Sequence, residues 1–207
     1  MGNALEQWDE EEFDFPFYVI EADDSGRVLS TAVNGVAETL VYDTQGRLQS
    51  VNNPLGTFTN TYDAATGLLS QVSRPGGSTA LDYYPSTDNQ NRGRLQAIRH
   101  RNGAQALLDR YTYAYDPAGR ITTWDQQRGS DPSKTWTLGY DLADQLLSAV
   151  QAPTAGGPAI TNQGWHYDAA GNRDQQTIDG KVTDYSLTNP LNELTQVSPK
   201  APVHFEG

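Results

Sequence analysis

Eighteen aspartates stand in this chain of 207 residues, and facing carboxylate pairs are what acid–base hydrolysis of a glycoside uses. Five of them, Asp43, Asp63, Asp116, Asp141 and Asp168, each follow a tyrosine and open a turn. A carboxylate bonded to its own turn amides is structural, so turn chemistry accounts for these five. The three histidines, His100, His166 and His204, lack metal-ligand spacing. Asp88-Asn89-Gln90-Asn91-Arg92-Gly93 approximates a calcium loop, but Gln90 and Arg92 hold ligand positions and Arg99 falls where the bidentate acid belongs. No cysteine is present, which removes thiol chemistry and disulfides. Nucleophile elbow, phosphate loop and dinucleotide fingerprint are all missing from the sequence. The expectation is a protein with no enzymatic activity, no metal and no cofactor.

Two groups of residues have the right chemistry for a ligand. Arg92, Arg94, Arg99 and Arg101 surround His100, and such a cluster suits an anion such as a sulfated glycan. Trp124, Trp136 and Trp165 can stack on sugar rings if they reach solvent. The competing readings are a solvated hairpin for the arginines and packing between hairpins for the tryptophans. A glycan-binding surface module is therefore the alternative to a non-enzymatic scaffold, and a hydrolase built on the aspartate-rich loops is a third reading.

All these residues hang on one recurring element. In Tyr111-Thr112-Tyr113-Ala114-Tyr115-Asp116-Pro117-Ala118-Gly119-Arg120 the tyrosines alternate onto one face of a strand. Asp116, Pro117 and Gly119 then supply a type I turn closed by a positive φ and a bulge. Tyr42-Asp43-Thr44-Gln45-Gly46-Arg47-Leu48 repeats the pattern, and Tyr62-Asp63 with Gly67-Leu68-Leu69 repeats it with one extra turn residue. Further copies start at Tyr140-Asp141 and at Tyr167-Asp168 with Gly171, a longer one runs from Tyr84 to Leu95, and a degenerate one spans Thr188–Leu194. Asp144 and Asn192 hold the positive-φ slot where glycine does not, as the residue types that best tolerate it. Asp23–Leu29 resembles another unit without its tyrosine. Downstream of the turns a Leu followed three residues later by Val or Ile recurs, as in Leu48/Val51, Leu95/Ile98 and Leu194/Val197. A regular strand would send that pair to opposite faces, so either both faces are partly covered or a bulge shifts the register.

Composition agrees with many short strands: mean hydropathy is −0.65 and turn formers abound. No apolar run is long enough to span a bilayer, and no secretion signal is visible at the start of the chain. The net charge of −12 is concentrated in residues 1–24, which hold nine acids and no Lys or Arg. That balance argues against nucleic acid as a partner. The expected organisation is an acidic, aromatic N-terminal segment (1–22), flexible or partner-docking, a β-hairpin domain (23–198) and a short tail (199–207).

Tyr-Asp-x-x-Gly-Arg-Leu units recurring every twenty to thirty residues resemble the YD-repeat (RHS-repeat) family, which includes bacterial Rhs toxins, the C components of ABC toxin complexes, wall-associated proteins and the teneurins. The resemblance covers roughly residues 23–198. It implies an all-β fold in which consecutive antiparallel hairpins form a curved or spiralling sheet, part of a β-shell, with the tyrosines packed between hairpins. It also implies a secreted or cell-surface setting and a scaffold that wraps or supports another polypeptide, either an effector or the remaining shell. Family members are usually far longer and end the shell in an autoproteolytic Asp-Pro-x-Gly segment that does not follow the last repeat here. The chain therefore reads as a fragment or a small member, with open sheet edges free to self-associate or take a partner.

Overall fold

Short runs rich in Val, Thr, Tyr and Trp between turn residues dictate strands, and every element of the computed structural model, which describes residues 18–89, 91–186 and 196–199, is one. The chain divides into two units, residues 1–60 and 61–207. In the first, β1 (Tyr18–Ala22), β2 (Val28–Val33), β3 (Val36–Tyr42), β4 (Leu48–Asn53) and β5 (Gly56–Tyr62, which runs into the second unit) pair in sequence order, all antiparallel. The second unit continues the pattern with β6 (Leu69–Arg74), β7 (Gly77–Tyr83), β8 (Leu95–Asn102), β9 (Leu107–Tyr115), β10 (Ile121–Arg128) and β11 (Lys134–Tyr140). It is completed by β12 (Leu146–Pro153), β13 (Thr161–Tyr167), β14 (Arg173–Ile178), β15 (Lys181–Ser186) and β16 (Gln196–Pro199). From β6 to β16 each strand pairs antiparallel with the next. The expected all-β fold of consecutive hairpins is what forms. The acidic segment before Tyr18 and the degenerate copy at Thr188–Leu194, including Asn192, lie outside the described residues.

The spacing of three between the apolar residues after each turn is resolved by a second bulge. Tyr42 pairs with Leu48 but Val41 pairs with Ser50, so Gln49 is looped out of the ladder. Leu40 then meets Val51, and Leu48 and Val51 share the face of Tyr42 and Leu40. The same slip excludes Gln96, Thr122, Leu147 and Asp174 in later hairpins. A bulge of this kind re-aims the residues that follow it. It brings Leu95 and Ile98 opposite Tyr83 and Leu81, and Ile121 and Trp124 opposite Tyr115 and Tyr113.

In the second unit the aromatic face carries Tyr111, Tyr113, Tyr115, Trp124, Trp136 and Leu138. The other face carries small and polar residues such as Ala97, Thr112, Ala114, Thr123, Thr137 and Ser148. Among the described residues no second layer covers either face, and only Ala97 and Ala149 are buried apolar residues, at 2% and 4% exposure. Side-by-side packing within one layer is therefore the source of apolar burial. Ala149 sits on the aromatic face between Leu138 and Gln163. Enlarging it in Ala149→Leu is expected to destabilise the chain by about 1–3 kcal/mol, read as a lower urea midpoint; an unchanged midpoint would show that this lateral packing is loose.

Candidate functional site

Six turns build one chemical unit. In the first full copy Gly46 N–H donates to Asp43 O at 2.9 Å and Asp43 N–H to Arg47 O at 2.9 Å. Asp43 Oδ1 accepts from the amides of Gln45 and Arg47, both at 2.9 Å, while Oδ2 takes the Arg47 Nε–H at 2.7 Å. Asp116 repeats this with Arg120 (amide 2.9 Å, Nε 2.6 Å), and Asp23 with Arg27 (amide 3.0 Å, Nε 2.7 Å). Asp141 accepts from Ala143 and Gln145, and Asp168 from Ala170 and Asn172. The longer turn at Asp63 uses Ala65 and Thr66 instead. Positive φ falls on Gly46 (79°), Gly67 (73°), Gly119 (92°), Gly171 (85°) and Asp144 (64°), the slots read from the sequence.

These contacts set the protonation of the turn carboxyls. The Arg27 amide and guanidinium hold Asp23 below the usual carboxylate range. Partial burial pushes Asp43 and Asp116 upward, but the amide and guanidinium of Arg47 and Arg120 more than offset it and leave both lowered. Thr66 lowers Asp63, and the Asn172 side chain and amide lower Asp168. Burial raises Tyr113, Tyr115 and Tyr140.

In five hairpins the tyrosine before the turn reaches back to the preceding hairpin. Tyr42 donates its hydroxyl to Val28 O at 3.0 Å, Tyr83 to Leu69 O at 2.9 Å and Tyr115 to Leu95 O at 2.8 Å. Tyr140 reaches Ile121 O at 2.9 Å and Tyr167 reaches Leu146 O at 3.1 Å. Val28, Leu95, Ile121 and Leu146 each stand immediately before the looped-out residue, where the bulge breaks the ladder. The preceding arginine lies on the ring: Arg27 is 5.1 Å from the Tyr42 centroid, Arg94 5.5 Å from Tyr115 and Arg120 5.0 Å from Tyr140. Its guanidinium also donates forward to the next turn, from Arg94 to Asp116 O at 3.1 Å and from Arg120 to Asp141 O at 2.8 Å. A Cβ at Gly119 would stand 3.0 Å from Arg94 Nη2 and one at Gly46 3.1 Å from Arg27 Nη1. Glycine takes that φ without strain, and a Cβ there would make the arginine guanidinium shift by a few tenths of an ångström.

One assignment is corrected. The tyrosine of the long copy is Tyr83, which pairs with Leu95 and reaches Leu69 O, whereas Tyr84 takes the aspartate's place, its amide bonded to Arg94 O. Tyr84 instead sends its hydroxyl to Tyr113 O at 2.9 Å.

The four arginines of the candidate anion cluster are engaged by four separate partners. Arg92 donates to Ser86 O, Arg94 staples the Asp116 turn, Arg99 pairs with Asp82 and Arg101 donates to Gln105 O. Trp124 faces Trp136 across β10–β11 and Tyr113 across β9–β10, and Trp165 faces Gln176. All three tryptophans are half-buried, neither enclosed between hairpins nor free. His166 points to solvent beside Asp174, 2.6 Å away, on the face opposite Trp165. No group of three potential metal ligands occurs among the described residues.

Apart from the Tyr83 copy, the turn residues are legible in the sequence, but the role of the Gly-Arg-Leu tail is not. The visible signal was the recurring order of Arg or Gln before an apolar residue in Arg27-Val28, Arg94-Leu95, Arg120-Ile121 and Gln145-Leu146. The arginine and the next carbonyl form the two halves of the socket for the following tyrosine.

Two tests follow. Tyr140→Phe is expected to cost about 1 kcal/mol by removing the donor to Ile121 O, measured by chemical unfolding. Because Asp23, Asp43, Asp63, Asp116 and Asp168 have folded pKa values below their unfolded value of about 3.9, their contribution is complete above that value and is lost as pH falls below it. The thermal midpoint should therefore fall steeply below about pH 4, and Asp116→Asn should flatten that fall; an unaltered acid limb would contradict the turn-carboxyl account.

Comparison with known proteins agrees with this geometry. A family model for the RHS repeat matches residues 42–79. The crystal structure of TcdB2-TccC3 superposes with TM-score 0.67 at 20% identity, covering 90% of this chain and 10% of that one. That of TcdB2-TccC3-Cdc42 gives 0.64 at 21% identity, covering 86% and 10%. These likenesses establish the fold, and the chain spans about a tenth of the solved chains it matches. No curated protein matches it. The matched model over residues 42–79, the shared fold and the unit Tyr-Asp-x-x-Gly-Arg repeated as one bonded module make this chain similar to RHS-repeat (YD-repeat) proteins.

Proposed function

We propose that this chain is a non-enzymatic section of a β-shell wall that wraps or supports another polypeptide, in a secreted or cell-surface setting. The observation that carries the reading is the turn-to-turn staple. Tyr115, Tyr140 and Tyr167 each lock one hairpin onto the one before it, so a single layer holds its order without an opposing layer. A wall of that kind leaves its faces available for a second polypeptide. Both similar solved structures, TcdB2-TccC3 and TcdB2-TccC3-Cdc42, are of more than one named polypeptide, which supports the reading by analogy. Among the described residues β1 and β16 each pair on one side only, and such edges recruit further strands.

The test is the mass of the purified chain by light scattering, alone and with polypeptides encoded beside it. A defined oligomer or a stable complex is expected. A monodisperse monomer that ignores every partner would overturn the wall reading.

A further inference from the structure

One groove in the second unit is built unlike the rest of the sheet. It has a volume of about 640 Å³ and lies at the end of β9, β10 and β11 away from the aspartate turns. Its floor is Tyr111 and Trp124, ring centroids 6.4 Å apart and inclined at 38°. Trp124 is half-exposed while its Nε1 is buried, so the side-chain surface it offers is carbon.

The rim is polar: Asp109, Gln126, Arg128, Asp131 and Lys134. Many Asp, Arg and Gln side chains elsewhere among the described residues are engaged by turns and cross-strand partners, as at Asp43, Arg120 and Gln175. Here none of the five has a hydrogen bond or ion pair from its side chain among the described residues, although Asp109 and Arg128 are opposite each other in the ladder. Two acids and two bases leave the groove without net charge, which disfavours polyanions such as nucleic acid or sulfated glycans. Uncommitted donors beside an aromatic floor match one polypeptide form closely. A polyproline II segment has no internal hydrogen bonds, so its carbonyls need outside donors, and its proline ridges dock between aromatic rings.

We propose that the Tyr111–Trp124 groove binds an extended, proline-containing segment of polypeptide. The proline ridge lies on the two rings, Gln126, Arg128 and Lys134 donate to its carbonyls, and Asp109 and Asp131 select a basic residue beside the prolines. The proposal rests on the reading of the sheet as a wall for another polypeptide and gives that wall a point of grip.

The test uses the full chain and a fluorescent ten-residue polyproline peptide ending in arginine, followed by anisotropy. A glycine–serine peptide of equal length and a neutral tetrasaccharide serve as competitors. Saturable binding is expected, weakened about tenfold or more in Trp124→Leu, the loss of one aromatic stacking contact together with its shape. Asp131→Ala, at an exposed turn, should weaken binding about threefold and keep the unfolding midpoint. Absence of binding, binding unchanged in both variants, or displacement by the tetrasaccharide would each overturn the assignment. If light scattering shows assembly while polyproline does not bind, the groove proposal fails and the wall reading stands.

Discussion

In the second unit the described strands form one layer with no opposing layer to bury its apolar face, and this constraint shapes everything else in that unit. Burial in ordinary domains comes from packing layers on each other, and here, among the described residues, it reaches completion at only two small apolar residues, Ala97 and Ala149. The strands must then be held by what lies beside them. Main-chain ladders do part of this, but ladders alone do not fix register. The remaining specificity comes from the row of turns, where each hairpin is bonded to the next by side chains.

The bulge makes that bonding possible. Looping out Gln96 or Thr122 keeps the flanking apolar residues on the tyrosine face and leaves Leu95 O or Ile121 O facing the following tyrosine hydroxyl. The arginine before that carbonyl covers the same ring and binds the carboxylate of its own turn. Tyr, Asp, Gly and Arg are thus parts of one device that spans two hairpins. The device degrades in places: Gln145 replaces the arginine and donates to Gly171 O at 3.3 Å without covering Tyr167 as a cation. Cation–aromatic contacts contribute about 0.5–1 kcal/mol at exposed sites, so that junction is held less firmly than the one at Arg120.

Much of this was legible in the sequence, because turn chemistry is local. Asp116, Pro117 and Gly119 specify their conformation within four residues, and the strands on either side follow from alternation. What escaped were relations across twenty residues. Nothing near Arg120 announces that it will lie on Tyr140, and Tyr84 looked like the repeat tyrosine because the distinction depends on which residue faces Leu95. The Leu–Val spacing showed that the register was unusual without showing that a bulge was the cause. The groove at Tyr111 and Trp124 depends on β9, β10 and β11 converging, so the sequence offered the tryptophan as a stacking surface but not its neighbours. The partners of the four clustered arginines were hidden for the same reason, since each guanidinium is engaged by a different residue.

The most direct test of the stapled-turn account is hydrogen exchange of the full chain carrying Arg120→Ala, followed peptide by peptide. If the arginine couples neighbouring hairpins, amide protection should fall both at its own turn and in the hairpin of Tyr140 and Asp141. The hairpin at Asp23–Tyr42 should be unaffected. Loss of protection confined to residues 116–120 would show that each turn closes by itself, and would contradict the claim that the turn row holds the sheet together.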